Sequence, residues 1–190
     1  SSMGRKSKGA NCLTDSLFFD SDCISAFLWV GNENLLVKLY PGRIVIPKTV
    51  YDELSYPGIA HLKARVDALL SVGQAQVMSI DVATEAYDIY YQLTEKPKAG
   101  HMVIGKGEAA SIALAKQYDG IVASNNLKDI SLYIAQMDFK HLSTGDILLA
   151  ALERGYITEA QGNTIWTKML SKRRKLGAAN FTAYIQAKQK

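Results

Sequence analysis

The chain has 190 residues, of which 48% are hydrophobic and 21% are charged, as in soluble globular proteins and unlike disordered or collagen-like chains. No apolar run approaches the roughly 20 residues that a membrane-spanning helix needs, so no membrane association is expected. The net charge of +4 is too small for a histone-like binder, and two cysteines are too few for a disulfide framework or a thiolate metal site, which favours a cytoplasmic protein.

The length fits a single domain with an appended helical piece. Residues 1–11 are basic but contain no apolar segment, so they do not predict a secretory signal, and we interpret them as a disordered or tag-like leader. We expect the domain itself to occupy residues 12–150. Residues 151–190 are predicted to form a C-terminal helical extension that packs on the same domain.

Short apolar runs alternate with amphipathic segments along the chain. The predicted strands are 16–19, 43–47, 76–80, 121–124 and 139–143. The predicted helices are 22–30, 34–40, 49–54 with Thr49 as its N-cap, 61–70, 84–95, 108–118 with Gly120 as its stop signal, 127–137, 146–155, 158–175 and 181–188. Strands separated by helices indicate a parallel sheet with helices on both faces, whose sites lie beyond the carboxyl ends of the strands.

Two carboxylates follow predicted strands and are candidates for such a site. Asp20 comes directly after the apolar run 17–19, where a strand would open onto the crevice. In the helix after the second strand, Glu53 lies at the boundary of the apolar face and Asp52 points away from it. The structural alternatives are a helix cap at Asp20 and a boundary ion pair at Glu53.

A third acid, Glu108, lies in the first turn of a predicted helix, on one stripe with Ile112 and Ala115. Small residues beside it would let this helix approach the sheet closely. A buried carboxylate is costly unless it is paired or liganded, and the helix dipole offsets only roughly 0.3–1 kcal/mol of that cost. The alternative is a capping carboxylate.

A fourth acidic position is expected after the strand 121–124. Here the chain reads Ser124-Asn125-Asn126, and the first charge is Asp129, which either completes the acidic group or caps the next helix. Two charges 4 Å apart repel by roughly 4 kcal/mol at an effective dielectric near 20. Converging acids therefore predict a hard cation with oxygen ligands, Mg²⁺ or Mn²⁺. The dispersed histidines do not predict a zinc site.

The segment 168–175 contains five cations in eight residues: Lys168, Lys172, Arg173, Arg174 and Lys175. It is either a solvated helix face or a patch that contacts phosphates. We take Lys172, Arg173, Arg174 and Lys175 as the candidate phosphate-contacting residues, which would bind RNA if the resemblance described next holds.

Three segments together resemble the PIN-domain ribonucleases. They are Phe19-Asp20-Ser21-Asp22 opening a helix, Ile46-Pro47-x-x-Val50-x-x-Glu53-Leu54, and Gly107-Glu108-Ala109-Ala110-Ser111-Ile112-Ala113-Leu114-Ala115. The segment Val122-Ala123-Ser124-Asn125-Asn126 takes the place of the family's last acidic motif. The resemblance covers about residues 17–150, and the order and spacing of the motifs are more specific than any one of them.

This resemblance implies a three-layer α/β/α sandwich with a central parallel sheet of four to five strands, here with extra C-terminal helices. It also implies endoribonuclease activity that depends on Mg²⁺ or Mn²⁺. The expected catalytic acids are Asp20, Glu53, Glu108 and Asp129, with Asp20, Glu108 and Asp129 as direct metal ligands. The expected supporting residues are Asp22, which would orient the first acid, Ser124, Asn125 and Asn126.

Many bacterial members of the family are toxins of toxin–antitoxin modules, and many dimerise. The implied partners are therefore RNA, an antitoxin protein and a second copy of the chain. Family members often have Asp where this chain has Asn126, which leaves a second interpretation open. In that interpretation the chain is a catalytically impaired module of the same fold that binds RNA or another protein.

A nucleotide-binding P-loop is a weaker alternative. The segment 100–106 matches the first seven positions of that motif, but Gly107 stands where Ser or Thr would bind Mg²⁺. The segment before it does not have the pattern of a buried strand.

Overall fold

The computed structural model describes residues 13–96, 103–126 and 138–190. Five strands form one sheet: β1 (Leu17–Phe19), β2 (Ile44–Pro47), β3 (Gln76–Met78), β4 (Ile121–Ala123) and β5 (Lys140–Leu142). Their order is β3-β2-β1-β4-β5 and every pairing is parallel, so the predicted parallel sheet is confirmed. The leader 1–11, the predicted helix 127–137 with Asp129, and residues 100–102 of the P-loop-like segment lie outside the described residues.

Nine helices surround this sheet within the described part of the chain. They are α1 (Ser21–Trp29), α2 (Glu33–Leu39), α3 (Lys48–Glu53), α4 (Ala60–Ser71), α5 (Glu85–Thr94), α6 (Lys106–Tyr118), α7 (Thr144–Glu153), α8 (Glu159–Ser171) and α9 (Phe181–Lys188). None of them has the length and apolarity needed to cross a membrane.

The alternation of side chains along β1 divides the core into two layers. Leu17 and Phe19 pack with α1, α2 and the C-terminal helices, whereas Phe18 packs with α5 and α6 on the other face. Successive side chains of a strand point to opposite faces of its sheet. All three residues are fully buried because both faces carry helices, and the α/β/α sandwich is thereby confirmed.

The order in which strands are added to the sheet reverses at β1. The chain places β2 and β3 on one side of β1, and then β4 and β5 on the other. The register pairs Phe19 with Ala123, and the Asp20 N–H donates to the Ala123 carbonyl at 2.9 Å. The next residue of each strand, Asp20 and Ser124, therefore leaves the sheet at the same edge. Such a switch point opens a crevice at the carboxyl ends of the strands.

Helix α6 is buried more completely than a one-stripe helix would be. Nine consecutive residues, 107–115, are buried, because α6 lies against the sheet and also against α3 and α5. The expected stripe of Glu108, Ile112 and Ala115 is buried, and the residues beside it are buried as well. The small side chains of this segment allow close contact on several sides at once.

Two helix boundaries differ from the prediction at their caps. Helix α3 begins at Lys48 and not after Thr49, and its N-cap is Pro47, with φ of −55° and ψ of 142° and no side-chain hydrogen bond. At the end of α6 the left-handed residue is Asp119, with φ of 53°. Gly120 has another role, since a Cβ there would lie 2.4 Å from the Phe18 ring.

The last helix, α9, packs against α7 and α8 through two glycines. A Cβ at Gly145 would lie 2.4 Å from the Tyr184 ring, and one at Gly162 would lie 2.2 Å from the Phe181 ring. The Tyr184 hydroxyl donates to Asp146 at 2.6 Å, which ties the end of the chain to α7. The division of the chain at residue 150 stays a prediction.

Candidate active site

Asp20 lies at the centre of the crevice. It follows β1, caps α1 and is only 6% exposed. The Ser21 N–H donates to its Oδ1 at 2.6 Å, and the Ser124 hydroxyl donates to its Oδ2 at 3.2 Å. The cap interpretation and the site interpretation of Asp20 are thus compatible, since one carboxylate both begins the helix and faces the end of β4.

The surroundings of Asp20 disfavour its negative charge. Burial raises the pKa of this carboxyl to about 7, and the charges of Asp22 and Glu53 add to the effect. The hydrogen bonds from Ser21 and Ser124 lower the pKa but do not compensate. A cation at this position would reverse the balance, because it stabilises the carboxylate form.

Glu53 ends α3 and joins the site through Ser21. The Ser21 hydroxyl donates to Glu53 Oε2. A Cβ at Gly107 would lie 2.9 Å from the Ser21 Oγ and 3.1 Å from Glu53 Oε1. The glycine therefore lets α6 approach this pair closely. Asp52 is exposed and pairs with Lys48, so the predicted choice of Glu53 over Asp52 is supported.

Glu108 lies in the first turn of α6 and is 8% exposed. The Asn126 side-chain amide donates to its Oε2 at 3.4 Å, and the Asn126 N–H donates to the Ser124 hydroxyl at 3.1 Å. Asn125 faces α7 instead, where its Oδ1 accepts from the Thr144 N–H at 2.8 Å. Asn126 thus joins the end of β4 to the third acid.

The donor atoms of this edge are carboxylate, amide and hydroxyl oxygens, which suit Mg²⁺ or Mn²⁺. Within residues 13–96, 103–126 and 138–190, no three His, Cys, Asp or Glu side chains form a group that could hold a metal ion. Mg²⁺ is commonly bound by one or two protein carboxylates together with waters and substrate phosphates. Asp20 and Glu108 fit that pattern, and the role of Asp129 lies outside the described residues.

Three of the predicted RNA-binding cations face the same crevice. Arg173, Arg174 and Lys175 line a cavity of about 260 Å³ together with Asp22, Asn125 and Asn126. The predicted helix 158–175 is too long, since α8 ends at Ser171 and four of the five cations follow its last residue.

The turn after α8 presents these cations. The Arg173 N–H donates to the Leu170 carbonyl at 2.9 Å and the Arg174 N–H donates to the Met169 carbonyl at 3.2 Å, which is the Schellman pattern. Arg173 occupies the left-handed position of this motif, with φ of 60°. That position is usually glycine, because other L-residues are strained there.

Asp22 has a different place from the one expected. Its carboxylate lies at the mouth of the crevice, where Arg174 Nη1 donates to Oδ1 at 3.4 Å. The same guanidinium nitrogen donates to the Ser25 hydroxyl at 3.0 Å. Ser21 and Ser124, rather than Asp22, donate the hydrogen bonds that orient Asp20.

Sequence reasoning did not single out Ser21, Ser25 or Gly107 as site residues. Ser21 and Gly107 stand inside the PIN-like motifs, each next to a candidate acid, so adjacency was the one signal that could have found them. No sequence signal connects Ser25 with Arg174, which comes 149 positions later.

Two comparisons with known proteins bear on this arrangement. The family model of the PIN domain matches residues 17–189, which includes all five strands and the three C-terminal helices. No curated protein matches the chain.

Proposed function

Because the chain belongs to the PIN domain family, we propose that it is a divalent-metal-dependent endoribonuclease. The observation that carries the proposal is the convergence of Asp20, Glu53 and Glu108 on one edge of the sheet, beside a cavity lined by three cations. Acids can hold a catalytic metal ion and an adjacent basic cavity can bind phosphates, which suits phosphodiester cleavage.

Each part of the site has a separate task in this proposal. Asp20 and Glu108, with Asp129, would hold Mg²⁺ or Mn²⁺, and the ion would supply an activated water and neutralise charge on the phosphate. Ser21 holds the Glu53 carboxylate in place. The cations after α8 bind the phosphates of the RNA strand and offset the repulsion between RNA and the acids.

Cleavage of RNA by the purified full-length chain tests this proposal. We expect cleavage of an unstructured RNA with Mn²⁺ and none with EDTA. Asp20→Asn is expected to abolish cleavage and keep the fold, because Asn is also a good N-cap. Asp52→Asn is the matched control, since Asp52 is an exposed acid outside the crevice. Unchanged cleavage by Asp20→Asn would refute the assignment.

The finer proposal is that the nuclease is the toxin of a toxin–antitoxin module. It is supported by the resemblance to a family in which many bacterial members are toxins. Expression of the wild-type chain in a bacterial host is then expected to arrest growth, whereas Asp20→Asn is not. A second, inactive protein that relieves the arrest and copurifies with the chain would be the antitoxin.

Asn126 supports the second candidate function, a catalytically impaired module of the same fold that binds RNA or another protein. An amide donates to Glu108 here, whereas a carboxylate at this position would repel it and add metal affinity. If the chain is an active nuclease, Asp129→Ala weakens cleavage strongly and Asn126→Asp tightens Mg²⁺ binding. If it is impaired, the wild type does not cleave RNA and Asn126→Asp creates cleavage. Asp129→Ala then changes only the free energy of unfolding, by about 1 kcal/mol, through loss of a helix cap.

A further inference from the structure

A second cavity adjoins the acidic edge beside α1, α3 and α4. Its volume is about 310 Å³, at the lower end of the range for small-molecule sites. Leu54 and Leu62 line it with apolar surface, Trp29 and Tyr56 add aromatic rings, and Glu53 adds a carboxylate that the cavity shares with the proposed active site. We call this the aromatic cavity and the one at Arg173 and Lys175 the basic cavity.

Tyr56 is held at the aromatic cavity although its side chain does little for the core. The residue is 64% exposed. Its N–H donates to the Glu53 carbonyl at 3.4 Å, and its carbonyl accepts from the Ile59 N–H at 3.3 Å. These bonds fix the backbone of Tyr56 one turn from the acid, from which its ring reaches the cavity. A large, exposed aromatic ring at the mouth of a cavity is a typical contact for a flat ligand.

Trp29 contributes the second ring from the end of α1. Its indole packs edge-on against His61, with ring centroids 4.9 Å apart. The Lys172 ammonium lies 5.1 Å from the centre of the indole ring. Protein thus contacts the ring through His61, and a cation from the turn after α8 lies over one of its faces.

Arg174 connects the two cavities, because it lines both of them. An RNA strand whose phosphates lie along the basic cavity would bring a neighbouring base to the aromatic cavity. Apolar surface, aromatic rings and adjacent cations together are the features by which proteins bind unstacked bases of single-stranded RNA. The cations favour this polyanion over an apolar side chain of a protein partner.

We propose that the aromatic cavity is a nucleobase subsite, in which one unstacked base contacts Tyr56 and Trp29 while an adjoining phosphate binds Arg174. The inference rests on the proposed function, since it takes RNA as the substrate. It makes single-stranded RNA the preferred class, because a base inside a duplex stays stacked on its neighbours.

Binding in EDTA tests the subsite without cleavage. The probes are a short single-stranded RNA and a set of the same RNA in which one nucleotide at a time lacks its base. For the wild type, we expect one position at which loss of the base weakens binding about 5- to 160-fold, the range for stacking of one base on aromatic side chains. For Tyr56→Ala, the intact RNA binds with similarly reduced affinity and loss of that base has no further effect.

Two controls sharpen the comparison. Tyr56→Phe keeps the ring and is expected to retain the base dependence. Tyr91→Ala removes an exposed tyrosine of α5, 41% exposed, that lines neither cavity, and it is expected to bind as the wild type does.

The outcomes separate this inference from the proposed function. Suppose that the chain cleaves RNA, but that loss of any one base has the same effect on binding in the wild type and in Tyr56→Ala. This result would overturn the subsite and leave the proposed nuclease intact. Base-dependent binding through Tyr56 without cleavage would support the subsite and refute the nuclease. Absence of RNA binding by the wild type would overturn the subsite.

Discussion

At Asp20, the burial that positions the carboxylate also opposes its ionisation. The folded chain raises the pKa of this group to about 7 from its usual 3.8. Between these two pH values the folded protein keeps a proton that the unfolded chain releases. The free energy of unfolding therefore falls as pH rises through this window, and the full cost is present above it.

Asp20→Asn is accordingly expected to stabilise the metal-free protein at pH 8, by on the order of 1–4 kcal/mol. Most of the gain should be lost at pH 4, where the folded wild-type carboxyl is protonated and the unfolded one is close to its usual pKa of 3.8. Urea denaturation at both pH values in EDTA measures it. A gain that is equal at pH 4 and pH 8 would contradict the assigned cause.

Arg173 shows a similar conflict between stability and the proposed task. Its left-handed conformation is one that glycine adopts without strain. Arg173→Gly is expected to raise the free energy of unfolding by up to about 1 kcal/mol and to weaken RNA binding. Asp119→Gly is the matched control, because Asp119 has φ of 53° at the end of another helix. Asp119→Gly should leave RNA binding unchanged. Equal losses of RNA affinity in both variants would show that Arg173 has no special role in binding.

At the level of elements, α9 depends on two close approaches. Gly162→Ala raises helix propensity by about 1 kcal/mol, but its Cβ would overlap the Phe181 ring, which is fully buried. We expect a net loss of about 1–3 kcal/mol in the free energy of unfolding. Thr164→Ala, at an exposed position of the same helix, gains propensity without the overlap. Thermal denaturation distinguishes them, and a stabilised Gly162→Ala would show that α9 moves away at little cost.

The sequence predicted β1, β2 and β4 well because each is a short apolar run that both layers bury. The order of the strands could not be read in the same way, since β1 pairs with β4 through residues about one hundred positions apart. Helix ends were less predictable where a cap has no side-chain signal, as at Pro47, or where Arg173 takes a conformation typical of glycine.

The common edge of Asp20, Glu53 and Glu108 could be predicted from their positions relative to strands and helices. Their hydrogen-bond partners could not, since Ser21 and Ser124 have no distinctive spacing. The approach of the C-terminal cations to this edge depends on how α8 packs against α1, which periodicity within either helix does not specify.

For the whole molecule, the distribution of charge decides how RNA approaches. The basic cavity lies at the carboxyl edge of the sheet, whereas Arg43 and Lys140 lie at the amino ends of β2 and β5. The salt dependence of binding falls by about 0.7 for each phosphate of single-stranded RNA that a side chain no longer neutralises. Changing Arg173 and Lys175 to Gln should therefore flatten the slope of log affinity against log salt by about 1.4.

The matched control for that measurement is Arg43→Gln with Lys140→Gln. It removes the same net charge from the opposite edge of the sheet. Weaker general attraction is expected to lower the RNA affinity of this variant as well, but its slope should stay close to that of the wild type. Equal flattening in both double variants would mean that RNA senses only the net charge.

The placement of β1 in the middle of the sheet has a consequence for biosynthesis. The register joins Leu17 to Ile121, so the central strand leaves the ribosome 104 residues before its second neighbour. At roughly 5–20 residues per second, that interval lasts on the order of 5–20 s. Arg174 follows Asp22 by 152 positions, so it emerges later still. During translation the acids are therefore exposed without the end of β4 or the basic turn, and the proposed nuclease assembles only after residue 174 has been synthesised.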